Sequence, residues 1–437
     1  MRGLLIAGAH IIDPKKGDLG KRDLLLTDGL IAQITPVGKL SASAGQEAQT
    51  DPAGIKNSDP EALTVLDATG LTLLPGLIDP HVHFRDPGQT YKEDIESGAL
   101  VAAAGGFTSV IMMGNTVPRI DTPEVIQAVL EKGRATPIRV YTCANITKDM
   151  AGRELVDMDA CIQVGAVLFT DDGLPIRDEA IMHKACVEAA KRGKVLSLHE
   201  EAPEHVTEAG VNAGEVAREM GLTGASREAE ITMVKRDIQI AEETGCPITI
   251  QHISAAESVA LIREAVAKDA ATGRARLIHA EATPHHFTLT EEAVRIHGTL
   301  AKMNPPLREK KDRQAILEGL RDNTIDMIAT DHAPHTPEEK ARDFTKAPSG
   351  IIGLETALSL AIRELIQKGV LTWQELTQKM SYNAAKLYGL EGGSIDVGAP
   401  ADLVLVDPDR TWEYDTTFST VVCINTFLEI ESFLFFF

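Results

Sequence analysis

The sequence predicts an α/β fold: a (β/α)8 TIM-type barrel with a small β-sandwich-like domain built from both chain termini. Three observations predict it. From about residue 71, apolar runs alternate with amphipathic or Ala-rich stretches, the pattern of a parallel sheet with crossover helices. Eight such runs fall within about 260 residues, the count of a closed barrel. No Gly-x-Gly-x-x-Gly follows the first run, so an open dinucleotide-binding sheet lacks its fingerprint.

The elements follow in order. Residues 1–68 read as the first part of the small domain, with short strands at 3–12 and 23–35 separated by Gly and Asp turns. Within this part, 41–63 is polar and without periodicity, and is expected to be a flexible insertion. Residues 69–388 read as the barrel. Its strands are placed at about 71–83, 108–115, 138–145, 165–171, 194–199, 247–252, 276–283 and 325–331. Helices are expected near 94–104, 123–132, 178–192, 229–244, 256–268 and 311–321, with Gly105-Gly106, Gly193 and Gly245 at helix ends. A last helical stretch, 372–387, leads to residues 389–412. These hold a turn and a strand that return to the N-terminal sheet. Residues 413–437 form an atypical tail: five of the last eleven residues are Phe, out of 11 in the chain. This tail is too short to span a bilayer and is expected to be disordered or aggregation-prone.

Composition bounds the function. A chain of 437 residues with 43% hydrophobic and 24% charged residues is that of a soluble globular protein. A net charge of −21 argues against nucleic-acid and anionic-membrane partners, so a small-molecule substrate is expected. The 5 cysteines are scattered and odd in number, which suits reduced thiols in the cytoplasm. The N-terminal apolar run is too short for a signal peptide, and no run of about 18 uncharged apolar residues occurs.

The chemistry lies at the strand ends, where barrel active sites are built. Strand one ends in His81 and His83, two apart and therefore on one side of an extended strand. Arg85 follows, able to hold an anion. Strand two ends at Asn115, strand four at Asp171-Asp172, strand five at His199, strand six at His252 and strand eight at Asp331. Any one of these could be a satisfied core residue or a helix cap. Four His and two Asp on one rim point instead to a metal site. Imidazole with carboxylate suits Zn²⁺, with Mn²⁺, Co²⁺ or Fe²⁺ as alternatives, and the ligand count is enough for two ions. Metal-activated water would attack a carbonyl while Asp331 moves the proton.

Four motifs carry a family resemblance. They are Pro-Gly-Leu-Ile-Asp-Pro-His-Val-His-Phe-Arg-Asp-Pro-Gly, Phe-Thr-Asp-Asp-Gly, Lys-Met-Asn-Pro-Pro-Leu-Arg and Ala-Thr-Asp-His-Ala-Pro-His. From about residue 3 to about 410 the chain resembles the amidohydrolase superfamily and, within it, the class I dihydroorotases. The resemblance implies that His81 and His83 bind one metal, and His199 and His252 a second. It makes Asp172 the bridge, with Asp171 the alternative that register leaves open. It makes Asp331 both a ligand and the general acid/base. Arg85, Asn115 and His335 would hold the substrate carboxylate, Asn304 the ring, and His83, Ser349 and Gly350 would also line the substrate site. The implied reaction is reversible hydrolysis of (S)-dihydroorotate to N-carbamoyl-L-aspartate in pyrimidine biosynthesis, by a metal-bridged hydroxide. A homodimer or a complex with aspartate transcarbamoylase is left open.

Each of these residues also has a plainer reading. Arg85 could close a surface turn, Asn115 cap a helix, and Asn304 and His335 shape loops. His285, His286 and His332 read as structural. The chain departs from the family pattern at Gly114, where proline is usual, at Ser349-Gly350, where Phe-Gly is frequent, and after about residue 412. Two other functions compete: another cyclic-amide hydrolase (dihydropyrimidinase, hydantoinase or allantoinase), and a non-catalytic subunit that scaffolds aspartate transcarbamoylase. Arg85 and Asp172 argue against the first, and the filled ligand positions against the second.

Overall fold

The computed structural model describes residues 3–40, 63–411, 414 and 433–436. The chain opens with β1 (Gly3–Asp13), β2 (Gly17–Thr27) and β3 (Leu30–Pro36), an antiparallel meander. β4 (Thr64–Asp67) and β5 (Thr72–Pro75) both run parallel to β1. Seven barrel strands follow: β6 (Leu77–Val82), β7 (Phe107–Met112), β8 (Arg139–Thr142), β9 (Leu196–Leu198), β10 (Ile248–Ile250), β11 (Ile278–Ala282) and β12 (Met327–Ile328). Then β13 (Leu403–Asp407) pairs with β5, and β14 (Phe433–Phe436) with β13, both antiparallel. Both ends of the chain thus build one sheet, packed on Ile6, Ile11, Leu24, Ile31, Leu73 and Leu405.

The barrel strands are parallel throughout, in two arcs, β6-β7-β8 and β12-β11-β10-β9. Isolated parallel bridges close the ring. Phe169 bridges Ala144 on one side and Leu196 on the other, and His332 bridges Val82. The strand expected at 165–171 is therefore one bridging residue. The preceding helix, Met158–Val164, runs up to Gly165, and the Asp171 side chain already turns back to the loop after β8, so little length remains for pairing. The strand expected at 71–83 is two strands. They part at Gly76, where the chain passes from the sheet with β1 and β13 to pairing with β7; a Cβ at Gly76 would meet Thr108 at 2.2 Å.

Strands buried on both faces explain the apolar runs. The largest core cluster fills the barrel and the space beneath its helices. Those helices begin and end where the sequence supplies caps. Ile95–Ala104 starts at Asp94, whose carboxylate accepts from Ser97 N, and Glu179–Lys191 starts at Asp178, which accepts from Ala180 N and Ile181 N. Glu228–Thr244 ends on Gly245, which is left-handed at φ 69°. Among the described residues no helix is long and apolar enough to cross a membrane.

Two expectations concern segments at the edge of this description. The insertion at 41–63 lies, but for Leu63, outside the described residues. Much of the Phe-rich tail does too. Phe433–Phe436 differs from the expected disorder, because it adds an edge strand to β13. Alternating backbone groups of β13 offer it a free ladder, and aromatic residues favour strands.

Candidate functional site

The strand ends converge on one cavity of about 180 Å³, lined by His83, Arg85, Asn115, Asp172, Gly173, His199, His252, Asn304, Asp331, Ala333, His335, Ser349 and Gly350. That is below the about 300 Å³ at which drug-sized sites begin, and suits a small polar molecule. Every site residue expected from the sequence lines it except His81, which lies fully buried beneath.

At its floor, imidazoles and carboxylates face one another. His83 Nε2 is 2.9 Å from Asp331 Oδ1 and 3.4 Å from Asp172 Oδ2. His81 Nε2 is 3.5 Å from Asp331 Oδ1 and 3.6 Å from Asp172 Oδ1. His199 Nδ1 and His252 Nε2 are 3.0 Å apart and lie 3.7 and 3.9 Å from Asp172 Oδ1. Asp172 therefore faces four imidazoles, supplied by the ends of three strands. Asp171 does not. Its carboxylate accepts from Ile146 N, Thr147 N and Thr147 Oγ1, and burial pushes it up to about 6 against those bonds.

The electrostatics call for positive charge. Burial would raise Asp172 and Asp331, yet the surrounding His81, His83 and His252 hold both well below the ordinary carboxylate range. Burial would lower His81, yet Asp172, Glu281 and Asp331 push it well above the usual imidazole value. His81 Nε2 is buried with no hydrogen-bond partner. Two ligand groups, His81/His83/Asp331 and His81/Asp172/His252, each hold their donor atoms within 4.8 Å of one another. An orphaned buried nitrogen among hard oxygen and imidazole donors fits a divalent metal. His252 and Asp331 also hold positive φ, 30° and 51°, a strain that clusters at functional sites.

Other residues orient this floor. Asn115 Oδ1 accepts from His83 Nδ1 at 3.0 Å, and its Nδ2 donates to Asp172 Oδ2 at 3.2 Å. Its amide is thus engaged with candidate ligands as well as lining the cavity. Glu281 Oε2 is 3.2 Å from His81 Nδ1, and Glu201 Oε2 is 3.4 Å from His199 Nε2 while also accepting from Asn304 Nδ2.

The cavity wall carries one guanidinium, Arg85. Arg85 Nε donates to Pro334 O, and its Nη2 lies 3.4 Å from His335 Nε2. His335 Nε2 donates to Ser349 O at 2.8 Å and Nδ1 accepts from Lys92 Nζ at 3.3 Å. Burial, with Arg85, Lys92 and Lys340 nearby, lowers His335 to about 2, so it is neutral. Gly350, at φ 130°, leaves no room for a side chain: a Cβ would meet Ala333 at 2.8 Å. Lys302 Nζ donates to Phe344 O and Ala347 O, and Lys340 Nζ to Pro348 O and Gly350 O, which pins the loop carrying Ser349 and Gly350. His332 is fully buried between Glu93 and Gly353 N, and His286 between Thr283 and Pro305 O.

Sequence reasoning missed Glu281, Glu201, Lys92, Lys302 and Lys340. Glu281 had a signal, since it is a carboxylate near the end of strand seven, a strand credited with no polar residue. Glu201 had one too, two residues beyond His199; the three lysines are brought to the site only by the fold.

Comparison with known proteins agrees with this arrangement. The family model described as amidohydrolase family matches residues 72–428. A dihydroorotase of Clostridioides difficile (strain 630) is 48% identical over 413 residues, 94% of this chain and 92% of the relative. A dihydroorotase of Lactococcus lactis subsp. lactis (strain IL1403) is 44% identical over 426 residues, 98% of this chain and 95% of the relative. Among solved structures, an L-hydantoinase (dihydropyrimidinase) from Arthrobacter aurescens superposes with a TM-score of 0.81 at 22% identity, covering 99% of this chain and 95% of that one. That likeness shows the fold. The family match across most of the chain and two relatives above two-fifths identity over nearly their whole length lead to one conclusion: this chain belongs to the amidohydrolase family.

Proposed function

We propose that this chain is a dihydroorotase, which opens the ring of (S)-dihydroorotate to N-carbamoyl-L-aspartate and closes it again. The observation that carries the reading is a guanidinium, Arg85, in the same small cavity as four imidazoles and two carboxylates. Both substrate and product are carboxylates, and a planar fork binds a carboxylate through two parallel hydrogen bonds. Neutral cyclic amides make no use of it. Relatives named dihydroorotase at 48% and 44% identity support the same substrate.

His81, His83 and Asp331 would hold one metal ion, His199 and His252 a second, with Asp172 between them. The donor set favours Zn²⁺ over Mn²⁺, Co²⁺ or Fe²⁺. When bound, the ions supply Lewis acidity toward the ring carbonyl and toward water. The protein's own part is positional. Arg85 fixes the substrate carboxylate, and neutral His335, Asn115 and the Ser349-Gly350 turn shape the remaining wall. Asn304, anchored by Glu201, presents to the ring. Asp331, held ionised, takes the proton of the attacking water. The bond between the carbonyl carbon and ring nitrogen breaks, the carbon becomes a carboxylate, and Asp331 passes the proton to the departing nitrogen. Ring closure runs the same steps backwards.

Cys143, Cys161, Cys186 and Cys246 are free and buried, which supports a cytoplasmic setting. We read the assembly as a homodimer or a complex with aspartate transcarbamoylase; light scattering with and without that partner distinguishes them. The activity test pairs elemental metal analysis with turnover of carbamoyl-aspartate, dihydroorotate, dihydrouracil, hydantoin and allantoin. Turnover confined to the first two is expected. Faster opening of a neutral ring overturns the substrate assignment, and metal-free, inactive protein overturns the catalytic one.

A further inference from the structure

Strand seven supplies a residue that neither the motifs nor the cavity lining singles out. Glu281 and His81 are both fully buried, 200 positions apart in the chain. Glu281 Oε2 meets His81 Nδ1 at 3.2 Å, while Oε1 is buried with no partner. A carboxylate taken out of water with one oxygen unpartnered needs a reason, because burying such a group is unfavourable. Its hydrogen bond goes to an imidazole.

The two nitrogens of that imidazole are set differently. Nδ1 is occupied by Glu281, and Nε2 is orphaned toward Asp172 and Asp331. In a neutral imidazole one nitrogen carries the proton and the other a lone pair. An acceptor on Nδ1 keeps the proton there, turns the ring, and leaves the Nε2 lone pair for a cation. His81 is the residue common to both ligand groups, so its orientation bears on both. His83 and His199 have comparable partners in Asn115 and Glu201, but those two also line or border the cavity.

We propose that Glu281 is a positioning residue of the metal centre: it holds His81 by Nδ1 so that Nε2 is presented to the metal. The proposal rests on the metal-centre reading above. Its agent is the hydrogen-bond acceptor at that point, not the charge alone.

Two conservative substitutions separate these. Glu281→Gln keeps an acceptor within reach of Nδ1 and removes the charge. Glu281→Asp keeps the charge and withdraws it from Nδ1. The readout is the Zn²⁺ or Co²⁺ dissociation constant of chelator-stripped protein, from competition with a chromogenic chelator, together with the visible spectrum of the cobalt-loaded form. Glu281→Asp is expected to bind metal roughly 10–100-fold more weakly, with an altered cobalt spectrum, and Glu281→Gln to stay near wild type. In a His81→Asn background, Glu281→Asp should add no further loss. Wild-type affinity for Glu281→Asp, a Glu281→Gln loss as large as that of Glu281→Asp, or an undiminished loss without His81 would each overturn the proposal. Wild-type protein that binds no metal would instead sink the metal-centre reading itself.

Discussion

At the amino end of the barrel, Asp326 accepts from Ala280 N and His279 Nδ1 and pairs with Arg276 at 3.1 Å. Arg276 in turn donates to Ile278 O, Asn323 O and Thr324 O, and buried Lys379 to Asn323 Oδ1 and Ile325 O. At the carboxyl end of the same strands, His81 Nε2, Glu281 Oε1 and Asn304 Oδ1 are buried without partners, and His252 and Asp331 sit at positive φ. One end satisfies its buried charges within the chain. The other leaves buried polar atoms without hydrogen bonds and bears backbone strain of about 1–3 kcal/mol per residue. The contrast separates polar groups that satisfy one another within the barrel from polar groups left without partners at its other end.

The comparison breaks first at Asp331. Asp331→Asn keeps the shape and removes the proton carrier, so kcat should fall by about 10²–10⁴-fold with the thermal unfolding midpoint little changed. Retained activity would show that the carboxyl end is not the reactive one. At the other end, Asp326→Ala removes the carboxylate that Arg276, His279 and Ala280 N share. Chemical denaturation should show a stability loss of about 3–5 kcal/mol, while metal content per folded molecule stays at the wild-type level. If metal is lost as well, the two ends are not independent.

Arg85→Lys sharpens the comparison within the rim. A point charge replaces a fork, and steady-state kinetics should show kcat/KM for dihydroorotate lower by about 10–100-fold, from a charged hydrogen bond of about 1.5–3 kcal/mol. Metal binding should not change. The smallest effect is expected far from both ends. Deleting residues 416–437 removes β14 and bares the edge of β13, so aggregation should increase, yet metal content should hold. Loss of metal on that deletion would tie the terminal sheet to the rim.

Much of this was readable before any coordinates. Alternating apolar runs located β6 to β12 within a few residues, because burial on both faces demands such runs. Asp94, Asp178 and Gly245 marked helix ends by local hydrogen bonding and backbone freedom. The break at Gly76 was not readable, since there the chain leaves the terminal sheet, where β5 pairs with β1 and β13, for the barrel, where β6 pairs with β7, nor was the reduction of strand four to Phe169.

For the site, the sequence by itself determined which side chains could be ligands, since imidazole, carboxylate and guanidinium are fixed by residue type and their strand-end positions by periodicity. Only the tertiary structure decided that Asp172 rather than Asp171 faces the imidazoles, that Glu281 reaches His81, and that Lys302 and Lys340 pin the loop behind Ser349. The reason is geometric. A shift of one residue in register reverses which side a side chain faces. Contacts between residues tens to hundreds of positions apart depend on how the strands close into a ring, and no local pattern carries that information.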